Sequence, residues 1–128
     1  MTTPITKKEI REFQQSVLWL AGELKKFADN YAKNIMLQSK SAFVLKYNLI
    51  QNYRSQVEKQ RMDFVNIKNK DMVYICTQEM NLFTELMVIF IKPRLAESDL
   101  KEIKAHAASL SMLLVDLEDK LTTLPVAA

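Results

Sequence analysis

Between Leu100 and Leu121 the chain places an apolar residue every three or four positions: Leu100, Ile103, Ala107, Leu110, Leu114, Leu117 and Leu121. That step marks one face of an α-helix, because 3.6 residues make a turn. It does not suit a half-buried strand, whose side chains alternate with a period of two. The same spacing recurs at Ile10, Phe13, Val17, Leu20, Leu24, Phe27 and Tyr31. It returns in strict steps of seven at Phe43, Ile50, Val57 and Phe64, with Tyr53 and Ile67 beside them. Residues 72–91 are apolar round most of their circumference. Val73, Cys76, Met80, Phe83, Met87 and Phe90 make one stripe; Met72, Ile75, Leu82, Leu86 and Ile89 make a second, which Glu79 interrupts. A single stripe packs on one side, whereas apolar residues all round imply several neighbours. The methionines of this segment fit that setting as flexible core fillers.

Four such segments predict an all-α fold: an antiparallel bundle with helices at about 7–37, 41–68, 72–91 and 99–122 and heptad seams of coiled-coil type. One glycine in 128 residues leaves little material for hairpin turns. The length suits a single domain, 1–128, with 1–5 and 123–128 as loose termini. It also suffices for a core that needs neither disulfide nor metal.

Local signals set the boundaries. Thr6 and Glu9 form a capping box flanked by the staple pair Ile5 and Ile10. In "QSKSA" either Ser39 or Ser41 caps the second helix, Asp71 the third and Asp99 the fourth, and Pro93 stops the third. Gly22 costs about 1 kcal/mol inside the first helix without ending it. That helix would then be about 48 Å long against about 30 Å for the third. The mismatch exposes Phe27, Tyr31, Ile35 and Met36, or the far end of the second helix, unless a second copy covers them, which predicts a homodimer.

Cys76 stands alone, so no internal disulfide is possible and a reducing compartment fits. "MTTPITKKEI" lacks a signal-peptide pattern, and a cytoplasmic location is expected. Residues 71–93 approach the length of a bilayer span. They contain Gln78, Glu79, Asn81 and Glu85, however, and a central acid costs roughly 2.5–3.5 kcal/mol on insertion. A buried helix is expected there, and no membrane association.

Little points to catalysis. With one glycine, no phosphate-binding loop or nucleophile elbow can form. His106 is the only histidine; it lies between alanines beside the fourth seam, and a rim position suits it better than a haem or metal ligand. Asp116, Glu118 and Asp119 read as a solvated face or as partners for bases on the second helix. No catalytic residue, metal or cofactor is expected, and hence no enzyme.

Two features suggest binding. From Asn30 to Lys70 eight basic residues face only Glu58 and Asp63, so this segment carries +6 of a chain whose net charge is +3. Lys33, Lys40, Tyr47, Arg54, Arg61 and Lys68 recur every seven residues, and steps of seven drift only about 20° each on a helix. Such a ridge can follow a phosphate backbone. Equally, its members fall at positions that flank a helical interface and lay their aliphatic stems over it. In "SVLWLAGE", Leu18 and Trp19 point away from the seam, and Gly22 leaves a dent beside Trp19. Tryptophans in such settings anchor partners.

The leading expectation is a non-enzymatic protein-interaction module of adaptor, chaperone or inhibitor type, acting through Leu18, Trp19, Gly22, Met36 and Leu37. The alternative is a nucleic-acid-binding accessory protein using Lys40, Tyr47, Arg54, Arg61 and Lys68.

Overall fold

A computed structural model describes residues 6–123. The termini expected to be loose, apart from Thr123, lie outside these residues, as does Ile5 of the staple pair. The described residues form helices α1 (Lys7–Asn30), α2 (Lys40–Asn66), α3 (Lys70–Phe90) and α4 (Glu97–Thr122), with a short 3-10 turn, Ile35–Gln38, between α1 and α2.

The bundle is antiparallel and built from two tight pairs, α1 with α4 and α2 with α3, joined further by α3 against α4. Cross-helix contacts give the direction of each pair. Arg11 meets Glu118 and Asp29 meets Lys104 between α1 and α4. Arg54 meets Thr84 and Arg61 meets Thr77 between α2 and α3. Asp71 meets Lys120 and Glu85 meets His106 between α3 and α4. The α1–α2 edge is spanned by aromatic rings, Phe13 against Tyr53 and Phe27 against Phe43, with centroids 6.0 and 6.4 Å apart. Large side chains thus hold apart two helices that scarcely touch elsewhere. α1 and α3 lie on one diagonal, so the outer faces of the α1–α4 and α2–α3 pairs are on opposite sides of the molecule.

The heptad seams are the core. Ile10, Val17, Leu20, Leu24 and Phe27 of α1, Phe43, Ile50, Val57 and Phe64 of α2, and Ile103, Leu110, Leu117 and Leu121 of α4 are all buried. In α3 the buried line runs through Met72, Ile75, Cys76, Glu79, Phe83, Leu86 and Phe90, while Met80 and Met87 are half-buried against it. The methionines therefore fill core. Tyr74 and Val88 remain exposed, so α3 is not enclosed on every side. Ile67, expected beside the α2 seam, is the C-terminal cap of α2 and is exposed.

Three boundaries differ from expectation. α1 ends at Asn30 rather than near Leu37, which shortens it to about 36 Å against about 32 Å for α3. No glycine or proline ends it. The core itself runs out: Tyr31 packs with Phe27 and Phe43, which both meet Phe90, and beyond that level α3 has stopped before Pro93. The Tyr31 carbonyl is taken by Gln38 Nε2 at 2.8 Å, and Asn34 caps the 3-10 turn through the Met36 amide. The α1–α3 mismatch behind the expected dimer therefore shrinks to about 4 Å, while α2, at about 40 Å, still outreaches α3. Phe27 and Tyr31 are buried, and only Ile35 and Met36 face water.

α3 is capped by Asn69, whose side chain accepts from the Met72 amide, and not by Asp71, which sits in the first turn. Asn one residue outside the helix does what Asp cannot do from inside it. α4 begins two residues before the expected cap. Asp99 is its third residue, and its carboxylate accepts the Ala96 amide at 2.8 Å and Lys92 Nζ at 2.6 Å. Those two donors, Lys92 foremost, hold the Asp99 carboxyl below its ordinary range. Thr6 caps α1 through the Glu9 amide as the sequence pattern indicates, and of the two candidate serines it is Ser39 that caps α2, through the Ala42 amide.

Candidate functional site

The α1–α4 pair carries the first candidate surface. With the core stripe of α1 turned inward, Leu18 and Trp19 are left 43% and 55% exposed. Leu18 and Gly22, one turn apart, share a hollow of about 520 Å³ with Ala107, Ala108 and Ser111 of α4, closed at one end by Lys25 and Lys104. A methyl group added to Gly22 would meet no atom within 4 Å, so the dent opens to solvent. Met112 and Val115, each four residues past a hollow-lining residue, are exposed on the same flank. Two inter-helix ion pairs frame this face, Arg11–Glu118 at 2.9 Å and Asp29–Lys104 at 2.6 Å. The hydrogen bond from Lys104 keeps the Asp29 carboxyl below its usual range. Glu118 thus pairs with α1, not with the bases of α2, because α2 and α4 are diagonal.

Met36 and Leu37 do not join this surface. Both lie in the 3-10 turn at the other end of α1, Met36 exposed and Leu37 half-buried against the core. The structure therefore splits the five expected protein-binding residues into two places.

The basic ridge is also rearranged. Lys40 is the exposed first residue of α2, and Tyr47 packs half-buried on the core. Arg54 Nε donates to Thr84 Oγ1 at 2.8 Å and Arg61 Nε to Thr77 Oγ1 at 3.1 Å. These two arginines therefore flank the α2–α3 seam, and α3 threonines rather than acids of α4 are their partners. Lys68 has left the helix. Its φ of 59° places it in the turn that ends α2, where its amide and that of Asn69 bond back to Val65 and Phe64. This is a Schellman closure, in which a residue in the left-handed region follows the cap. Its side chain does not continue the helical line of Arg54 and Arg61.

His106 sits on the α3–α4 seam, its Nε2 2.6 Å from Glu85 Oε2 and 3.9 Å from Glu102 Oε1. That ring bridges two helices at the rim.

One constellation escaped the sequence reading. In the interior, Gln14 of α1 reaches Gln60 of α2 and Glu79 of α3, all three buried. Gln14 Oε1 and Glu79 Oε2 find no hydrogen-bond partner. Burial raises the Glu79 carboxyl to about 8. A proton there turns one of two orphaned acceptors into a donor, which favours the neutral acid for the same reason. Burial, with the neighbouring Glu79 carboxyl, also pushes the Cys76 thiol upward, away from the reactive thiolate. The interruption of the α3 stripe by Glu79 was the visible signal. Nothing in the spacing of Gln14 or Gln60 tied them to it.

Among the described residues no group of three or more His, Cys, Asp or Glu side chains is placed to hold a metal ion. No helix among them is long and apolar enough to cross a membrane. Comparison with protein-family models, with curated proteins and with solved structures finds no match to this chain.

Proposed function

We propose that this chain is a non-enzymatic protein-interaction module of adaptor, chaperone or inhibitor type, docking another protein on the outer face of α1 and α4. The observation that carries this reading is Trp19, more than half exposed one turn before Gly22 and outside the hollow that Gly22 lines, with Leu18 of α1 and Met112 and Val115 of α4 also exposed. An aromatic anchor amid small and aliphatic neighbours is the composition of an interface centre, and the Arg11–Glu118 and Asp29–Lys104 pairs supply a polar rim. The partner is a different protein or a second copy of this chain. A second copy would use this same face.

Trp19→Ala tests it. The variant should keep its helical circular dichroism and its melting temperature, because an exposed residue contributes within about ±0.5 kcal/mol. It should lose self-association in sedimentation, or lose a protein that the wild-type chain retains in parallel purifications. Unfolding by several kcal/mol would make Trp19 a structural residue. Unchanged association and unchanged co-purification would place the interface elsewhere.

A further inference from the structure

On the opposite side, the α2–α3 face has apolar hollows at both ends and cationic groups between them. One hollow, of about 490 Å³, is floored by Phe43, Tyr47 and Phe90 and walled by Val44 and Ile91. The other, of about 580 Å³, lies between Val65 of α2 and Val73 and Tyr74 of α3. Val44 and Val65 are separated by 21 residues of helix, about 32 Å.

Between them Arg54 and Arg61 stand two turns apart, about 10.5 Å. Each is held by one oriented bond. Thr84 and Thr77 donate their hydroxyls to the carbonyls of Met80 and Val73, so each hydroxyl oxygen accepts from the arginine Nε above it. Among the described residues neither guanidinium lies within 4.0 Å of a carboxylate, although Glu58 sits between them in the sequence. Held through Nε, each guanidinium keeps its terminal N–H groups for an outside acceptor, the geometry that favours carboxylates. Lys40 borders one hollow, and Lys68 and Lys70 border the other.

We infer that this face docks an acidic amphipathic helix of another protein. Its carboxylates, seven residues apart, meet Arg54 and Arg61, and its apolar side chains enter the two hollows. Charge complementarity selects an acid, and the hollows select a peptide: a phosphate backbone offers the arginines oxygens but leaves two apolar basins unfilled. The inference rests on the protein-interaction reading but uses the face opposite Trp19.

The test uses the full chain and a labelled synthetic helix of about 21 residues, long enough to span both hollows at about 1.5 Å per residue. The helix carries leucine and phenylalanine at its ends and glutamates seven apart between them. A scrambled peptide of equal charge and a single-stranded oligonucleotide serve as comparisons. Fluorescence anisotropy should show saturable binding of the designed helix, weakened about tenfold or more in an Arg54→Glu, Arg61→Glu double variant. Val44→Asp should weaken it separately. Amide shifts in the unmutated protein should cluster at Val44, Tyr47, Val73 and Tyr74, a readout that survives if a variant fails to fold. Equal binding of the scrambled peptide, tighter and steeply salt-dependent binding of the oligonucleotide, or shifts confined to α1 and α4 would each overturn the inference. Loss of this face with the Trp19 result intact removes the second site only. Loss of both removes the interaction reading itself.

Discussion

The side-chain amide of Gln14 lies 3.5 Å from the carboxyl of Glu79, across the bundle diagonal, and each residue retains an oxygen that nothing satisfies. A proton on Glu79 relieves this, and its carboxyl rises from an ordinary 4.5 to about 8 as burial disfavours the anion. The folded state thus holds more protons than the unfolded chain between those values. The contribution is full below about pH 4.5, declines as pH rises, and is gone above about pH 8. Asp99 and Asp29 run the other way: their lowered carboxyls stabilise the fold above an ordinary 3.8, and that stability is lost in stronger acid. Urea melts should therefore place the stability optimum from these groups at about pH 4–5, with a decline of up to about 1.4 kcal/mol per unit towards neutrality. Glu79→Gln, the uncharged isostere, should flatten that decline and gain on the order of 3 kcal/mol at pH 7. A slope unchanged in the variant would mean that Glu79 titrates normally.

Gly22→Ala should stabilise the chain by up to about 1 kcal/mol, since a helical glycine is unfavourable by that amount and the added methyl meets no atom. Thermal melts read the gain. If the dent at Gly22 receives a partner side chain, the same variant should bind that partner less well, so stability and association move in opposite directions.

Lys68→Gly should also stabilise, by about 1 kcal/mol, because glycine adopts the left-handed backbone that lysine holds there at φ 59° without the clash of a Cβ. The gain should appear without change in the α2–α3 contacts, for example in the amide shifts of Val57 and Cys76. A loss would mean that the lysine side chain contributes more than its backbone strain.

Tyr31→Phe should cost about 1–3 kcal/mol in denaturant melts, far more than one exposed hydroxyl would. Its hydroxyl accepts the Leu95 amide at 3.1 Å, and both residues are buried, so removal strands a backbone donor between α1 and the α3–α4 connection. A change of a few tenths would show that water reaches that amide.

The seams were legible because burial on a helix repeats with the helix itself. Every residue of the Ile10-to-Tyr31 line is buried or half-buried, and the Leu100-to-Leu121 line likewise. Boundaries were less so. The end of α1 is set by where α3 stops, a tertiary fact that no residue near Asn30 announces. Caps failed where two polar candidates stood close together, as with Asn69 and Asp71, since either can accept an amide and only the backbone path decides. Of the candidate surfaces, Leu18, Trp19 and Gly22 were placed together by helical spacing, while Met36 and Leu37 were separated from them by a turn the pattern did not mark. The arginines of α2 fell at the flanking positions that spacing assigned, but their threonine partners required knowing which helix was the neighbour.

Because α1 starts and α4 finishes side by side, with Arg11 clasping Glu118, the bundle has a rooted pole and a distal one. A surface or fusion attached through either end would grip the molecule at the same place. The 3-10 turn and the α3–α4 connection would point away from it, and both flat sides would remain open to whatever approaches laterally.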